Sequence, residues 1–127
     1  MKPSHLILIA DDDERFVTAL SYRLEKLGFK TITAKDGYNA LARTVESKPD
    51  LMLLDIGMPA GDGFTVKERV QKHEELAHIP CIYLTGDGSL DALQAAETIG
   101  AYALFHKPIR FSELQRTIEM ALKPRAA

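Results

Sequence analysis

Three consecutive carboxylates, Asp11-Asp12-Asp13, end the apolar run Leu6-Ile7-Leu8-Ile9-Ala10, and a fourth, Asp55, ends a second run, Leu51-Met52-Leu53-Leu54. Like charges held together repel and raise one another's pKa values. A fold that gathers these acids at one end of a sheet therefore needs a divalent cation or an ammonium group beside them. Lys107 closes a third apolar run, Ala103-Leu104-Phe105-His106, and is the candidate ammonium. Acids and one lysine at strand ends suit a small metal-dependent phosphoryl site.

Short apolar runs alternate with longer amphipathic segments five times along the chain. Strands are expected over His5–Ala10, Lys30–Ala34, Leu51–Asp55, Cys81–Thr85 and Tyr102–His106. Helices are expected over Glu14–Leu27, Tyr38–Ser47, Phe64–His73, Leu90–Ile99 and Phe111–Leu122. In the first helix Phe16, Leu20, Leu24 and Leu27 fall on one face, as do Leu114, Ile118 and Leu122 in the last. Gly28 and Gly100 read as helix stops, and Pro49 and Pro80 stand just before strands, where a helix cannot continue. Repeated βα units imply a parallel sheet covered by helices on both faces. The right-handed crossover rule leaves few topologies. The expected architecture is an α/β, flavodoxin-like five-stranded parallel sheet in the order 2-1-3-4-5, with five helices distributed over both faces. In that order the first and third strands lie side by side, and ligands sit beyond the carboxyl ends of the strands, where the acids fall.

A chain of 127 residues fits one domain, and the tail Lys123–Ala127 is too short to be another. That tail reads as an end or as the start of a linker. A net charge of -2 with no dense block of lysine or arginine leaves no footprint for nucleic acid. The lone Cys81 excludes an internal disulfide and reads as a buried small hydrophobe. No apolar stretch approaches the 18 residues of a membrane span, and no signal peptide is evident, so the expected location is the cytoplasm. His5, His73, His78 and His106 show no metal-ligand spacing and read as surface or strand-edge residues.

Taken together, Asp11-Asp12, the run Leu53-Leu54-Asp55-Ile56-Gly57-Met58-Pro59, the loop Gly61-Asp62-Gly63-Phe64, Thr85-Gly86 and Lys107-Pro108 resemble the receiver domain of two-component response regulators, over nearly the whole chain from the first strand to the last helix, which implies one receiver domain over residues 1–127. The resemblance implies that Asp55 is the phosphoacceptor, attacking a phosphohistidine or a small phosphodonor. A carboxylate is already ionised at neutral pH and needs no general base for this. It also implies Mg2+ (or Mn2+), with Asp12 as a direct ligand, Asp11 acting through water, Asp55 itself, and the Gly57 backbone carbonyl. Magnesium keeps several waters and takes only one or two carboxylates, which fits such a cup. Thr85 would donate its hydroxyl to one phosphoryl oxygen, and Lys107 would pair with the opposite one, aimed by a cis peptide before Pro108. Asp13, just before a helix, reads as its N-cap. The implied partners are a sensor histidine kinase or histidine phosphotransfer protein, and a downstream target or linked output domain. The oligomeric state is left open between a monomer and a phosphorylation-dependent dimer. The response surface would comprise Leu90–Ile99, the last strand and the last helix.

Some residues depart from the family pattern. Leu104 stands where an aromatic switch residue is usual, and Phe105, one step later, points to the opposite face. Gly57 leaves the site open to water, and Asp87 occupies the second lifetime-modulating position. Leu90–Ile99 contains no basic residue, which disfavours the charged dimer of DNA-binding members. An aspartyl-nucleophile phosphatase would need an acid at Gly57. A nucleotide-binding protein would need glycines, not three acids, after the first strand. A receiver-like module without phosphorylation control is a further alternative, though all five expected site residues are present.

Overall fold

The computed structural model describes residues 4–57, 63–86 and 100–123. Five parallel strands, β1 (Leu6–Ala10), β2 (Lys30–Ala34), β3 (Leu51–Asp55), β4 (Cys81–Thr85) and β5 (Ala103–His106), lie in the order β2-β1-β3-β4-β5. Four helices occur among the described residues: α1 (Glu14–Lys26), α2 (Gly37–Ser47), α3 (Gly63–Gln71) and α4 (Phe111–Ala121). The fifth expected helix, Leu90–Ile99, lies outside the described residues, as do Met58–Asp62 and Asp87.

Side chains alternate across a strand, so each strand feeds two cores. Leu8, Ala10, Met52, Leu54, Cys81 and Tyr83 pack with Ala40 of α2 and Val66 and Val70 of α3. Ile7, Ile9, Leu51, Leu53, Ile82 and Leu84 pack on the other face with Leu20 and Leu24 of α1 and Leu114 and Ile118 of α4. Burial on both faces explains why β3 and β4 are buried end to end, whereas the edge strands β2 and β5 are only partly covered. Leu104 and Phe105 do fall on opposite faces, each packed against a different core. Cys81 is buried, and that burial pushes its thiol up to about 11.

The ends of the elements follow from local chemistry. Asp13 caps α1 by accepting from the Arg15 and Phe16 amides at 3.1 and 3.2 Å, and Asp36 caps α2 through the Asn39 amide at 2.7 Å. At the other end of α1, Gly28 adopts φ +97°, which suits glycine. Its amide bonds to the Glu25 carbonyl at 3.0 Å and the Phe29 amide to the Leu24 carbonyl at 3.1 Å, the paired bonds of a Schellman ending. This turn corrects one expectation. Leu27 becomes the cap residue and is 45% exposed, and Phe29 takes the place against the core. The helix over Phe64–His73 also ends early, at Gln71, where the Lys72 and His73 amides turn back to Arg69 and Val70. The last strand starts at Ala103, leaving Tyr102 outside it and exposed.

A lysine not singled out from the sequence, Lys67 on α3, is buried, with its Nζ 3.4 Å from the Ile79 carbonyl oxygen and beside Cys81. The amphipathic pattern of the segment gave no sign of this, since a lysine in mid-helix ordinarily faces water.

Candidate functional site

Parallel pairing fixes where the chemistry-bearing residues meet. Ala10 sits opposite Leu54 and Asp55 opposite Leu84, so β1, β3 and β4 end at nearly the same height. The residues that end those strands or follow them, Asp11, Asp12, Asp55 and Thr85, therefore share one rim. Across the next ladder Thr85 pairs with His106, and the Lys107 amide donates to the Thr85 carbonyl at 2.7 Å. That bond brings Lys107 to the same rim.

Carboxylate oxygens of Asp11, Asp12 and Asp55 lie within 4.8 Å of one another, with Asp11 and Asp55 buried and Asp12 exposed. Asp11 is engaged through both oxygens. Its Oδ2 accepts from Lys107 Nζ at 2.7 Å, and its Oδ1 accepts from the Asp13 amide at 2.9 Å. Asp55 Oδ1 accepts from the Gly57 amide at 3.1 Å. Burial raises the Asp55 carboxyl above the ordinary carboxylate range. The Gly57 N–H opposes that rise, Asp11 adds to it, Lys107 opposes it, and Asp12 adds again. Asp11 and Asp12 thus lie close enough to act on Asp55, and Lys107 offsets only part of the crowded charge.

The expected site residues Asp11, Asp12, Asp55, Thr85 and Lys107 converge, and Asp13 caps α1 as expected. Lys107 makes its ion pair with Asp11, and the Lys107–Pro108 bond is cis. Thr85 is buried as the last residue of β4. Gly57 meets Asp55 through its amide, and a Cβ added there would lie 3.9 Å from Asp55 Oδ1, an ordinary contact. Among the described residues no histidine joins the carboxylate cluster, and His73, His78 and His106 are exposed. One participant was read from sequence only as a core residue. Phe16, in the first turn of α1, lies with its ring centroid 4.6 Å from Lys107 Nζ. No helix among the described residues is long and apolar enough to cross a membrane.

Residues 7–119 match the family model described as the response regulator receiver domain. The chain is 36% identical over 118 residues to the DNA-binding dual master transcriptional regulator RpaA of Synechocystis sp., covering 92% of this chain and 48% of that one. It is 33% identical over 116 residues to sporulation initiation phosphotransferase F of Bacillus subtilis, covering 91% of this chain and 92% of that one. This chain thus spans about half the length of RpaA and nearly all of the phosphotransferase. A crystal structure of a putative response regulator from Chloroflexus aurantiacus superposes with a TM-score of 0.89 at 30% identity, over 94% of this chain and 98% of that one. The strand order, the acidic rim with its lysine, and the match over nearly the whole sequence agree: the chain belongs to the response regulator receiver domain family, the phosphorylation-controlled switch modules of two-component signalling.

Proposed function

We infer that Asp55 is the residue that accepts the phosphoryl group, from a histidine kinase, a histidine phosphotransfer protein or a small phosphodonor. The observation that carries this reading is the meeting of the Asp11, Asp12 and Asp55 carboxylates within 4.8 Å, with the Lys107 ammonium 2.7 Å from Asp11. An ionised Asp55 attacks phosphorus directly. The rest of the rim has only to position the donor and neutralise charge, which supplies most of the catalysis in phosphoryl transfer.

The donor set fits Mg2+ (or Mn2+): it consists of hard carboxylate oxygens, and its charge exceeds what one ammonium offsets. Asp12, exposed, would be a direct ligand together with Asp55 and the Gly57 carbonyl. Asp11, committed at both oxygens, suits the role of acting through water. A bound ion would neutralise charge on the acids and the incoming phosphoryl oxygens. Lys107 would exchange Asp11 for a phosphoryl oxygen, and the Thr85 hydroxyl would take another. Phosphate adds roughly two negative charges at neutral pH, and packing around Thr85 and Lys107 answers by biasing two conformations.

On this reading residues 1–127 are one receiver domain, with 123–127 an end or the start of a linker, and the chain turns over only its own phosphorylation and dephosphorylation. The surface that changes comprises Leu90–Ile99, β5 and α4, and it serves a target protein or a linked output domain. A reducing, cytoplasmic setting suits the single buried thiol.

Intact-mass measurement after treatment with acetyl phosphate and Mg2+ tests the assignment. Wild type gains one phosphate and Asp55→Ala gains none. Equal gain by both proteins would remove Asp55 from the role.

A further inference from the structure

We propose that Phe16 is a positioning residue for Lys107, holding its ammonium by the face of the ring while the ammonium exchanges one anionic partner for another. The inference rests on the phosphoacceptor reading of Asp55. Its observation is separate: Lys107 Nζ lies 4.6 Å from the Phe16 ring centroid and 2.7 Å from Asp11 Oδ2. Phe16 is itself fixed from two sides. Its amide donates to Asp13 Oδ1 at 3.2 Å, and its side chain packs against the core shared by α1 and α4. The Asp13 amide in turn donates to Asp11 Oδ1 at 2.9 Å. One short stretch, from residue 11 to residue 16, thus supplies both groups that face the ammonium.

The two contacts differ in kind. The hydrogen bond to Asp11 is directional and breaks when the ammonium moves aside. Attraction to the ring quadrupole is broad over the ring face and tolerates a lateral shift. An ammonium leaving Asp11 for an oxygen on Asp55 can therefore keep Phe16 beneath it. The Asp11 side chain is fully covered and the Lys107 side chain only a quarter exposed, so this contact sits where water screens it weakly. A leucine at position 16 would fill much of the same core space but offer no ring face. Replacing phenylalanine by leucine at position 16 therefore separates these two contributions.

The full chain, phosphorylated by acetyl phosphate with Mg2+, provides the test. Rates are compared for wild type, Phe16→Leu, Phe16→Tyr and chains carrying phenylalanines of increasing fluorination at position 16. Fluorine withdraws charge from the ring face with little change of shape. Phe16→Leu should slow phosphorylation about three- to tenfold, Phe16→Tyr should restore most of the rate, and the fluorinated series should decline stepwise. In wild-type NMR spectra the Lys107 ε-methylene protons should be shifted upfield by the ring, and the shift should vanish in Phe16→Leu. A flat rate across folded fluorinated chains, or ε-methylene protons at their ordinary position, overturns the proposal. If wild type takes up no phosphate on Asp55, the phosphoacceptor reading falls and this proposal with it, whereas the ring-current shift would still report the contact.

Discussion

Burial holds the Asp55 carboxyl above the ordinary carboxylate range, Asp11 and Asp12 add to that, and the Gly57 N–H and the Lys107 ammonium oppose it. Between the ordinary carboxylate value and the raised one, the folded chain binds more protons at this position than the unfolded chain does. Stability therefore falls as pH rises through that window. In chelator at neutral pH, Asp55→Asn should melt higher than wild type. A relief of about 1 kcal/mol corresponds to roughly 3–6 °C in a domain of this size. The difference should shrink as pH is lowered into the acid range. Adding Mg2+ should narrow it from the other side, by stabilising wild type more than Asp55→Asn. Thermal unfolding across pH, with and without the ion, measures both effects, and a wild type that melts higher in chelator at neutral pH would contradict them. The acids and Lys107 were legible in the sequence because each ends an apolar run, so the period of the pattern alone sends them to one rim. The second role of Phe16 was not legible: the same spacing describes any core aromatic, and nothing in it tells which side chain from a distant loop crosses the ring. Lys67 was missed for a related reason, since only tertiary packing covers it.

Elements form where short-range chemistry and the apolar pattern agree, and their ends shift where a cap intervenes. The boundaries of β3 and β4 follow from composition, because Leu51–Asp55 and Cys81–Thr85 are apolar or β-branched runs closed by an acid or a turn, and β2 is the run Thr31-Ile32-Thr33-Ala34 with Lys30 added at its start after the Gly28 turn. Leu27 shows the limit of periodicity. It continues the apolar face by spacing, but Gly28 stops the helix and delivers Phe29 to the core in its place. The caps also connect folding to chemistry. Asp13→Ala removes the acceptor of the Arg15 and Phe16 amides and should cost about 1 kcal/mol in a urea titration. Asp36→Ala, which uncaps α2 without touching α1, should cost a similar amount. Because α1 begins beside the acids and carries Phe16, only Asp13→Ala should also slow phosphorylation by acetyl phosphate. Equal phosphorylation rates in the two variants would show that the start of α1 does not matter to the site.

Over the whole molecule, the sheet order was legible because repeated βα units and right-handed crossovers leave few arrangements for five parallel strands. Once β1 and β3 are neighbours, their carboxyl ends must bring Asp11, Asp12 and Asp55 together. The two-sided core follows from the same alternation, with α2 and α3 on one face and α1 and α4 on the other. What the sequence withheld is how the rim is wired before phosphorylation: Lys107 is paired with Asp11 and not with Asp55. That choice depends on side-chain reach from the end of β5 past β4 and β3 to the end of β1 rather than on any local signal. The account's central claim is that an acyl phosphate forms on the β3 carboxylate. Borohydride reduces an acyl phosphate to an alcohol, so it converts a phosphorylated aspartate to homoserine. The chain should be treated with acetyl phosphate and Mg2+, reduced with borohydride, digested and sequenced by tandem mass spectrometry. Homoserine at position 55 and at no other aspartate is the predicted result; homoserine at position 11, 12 or 13, or at none, would contradict the account.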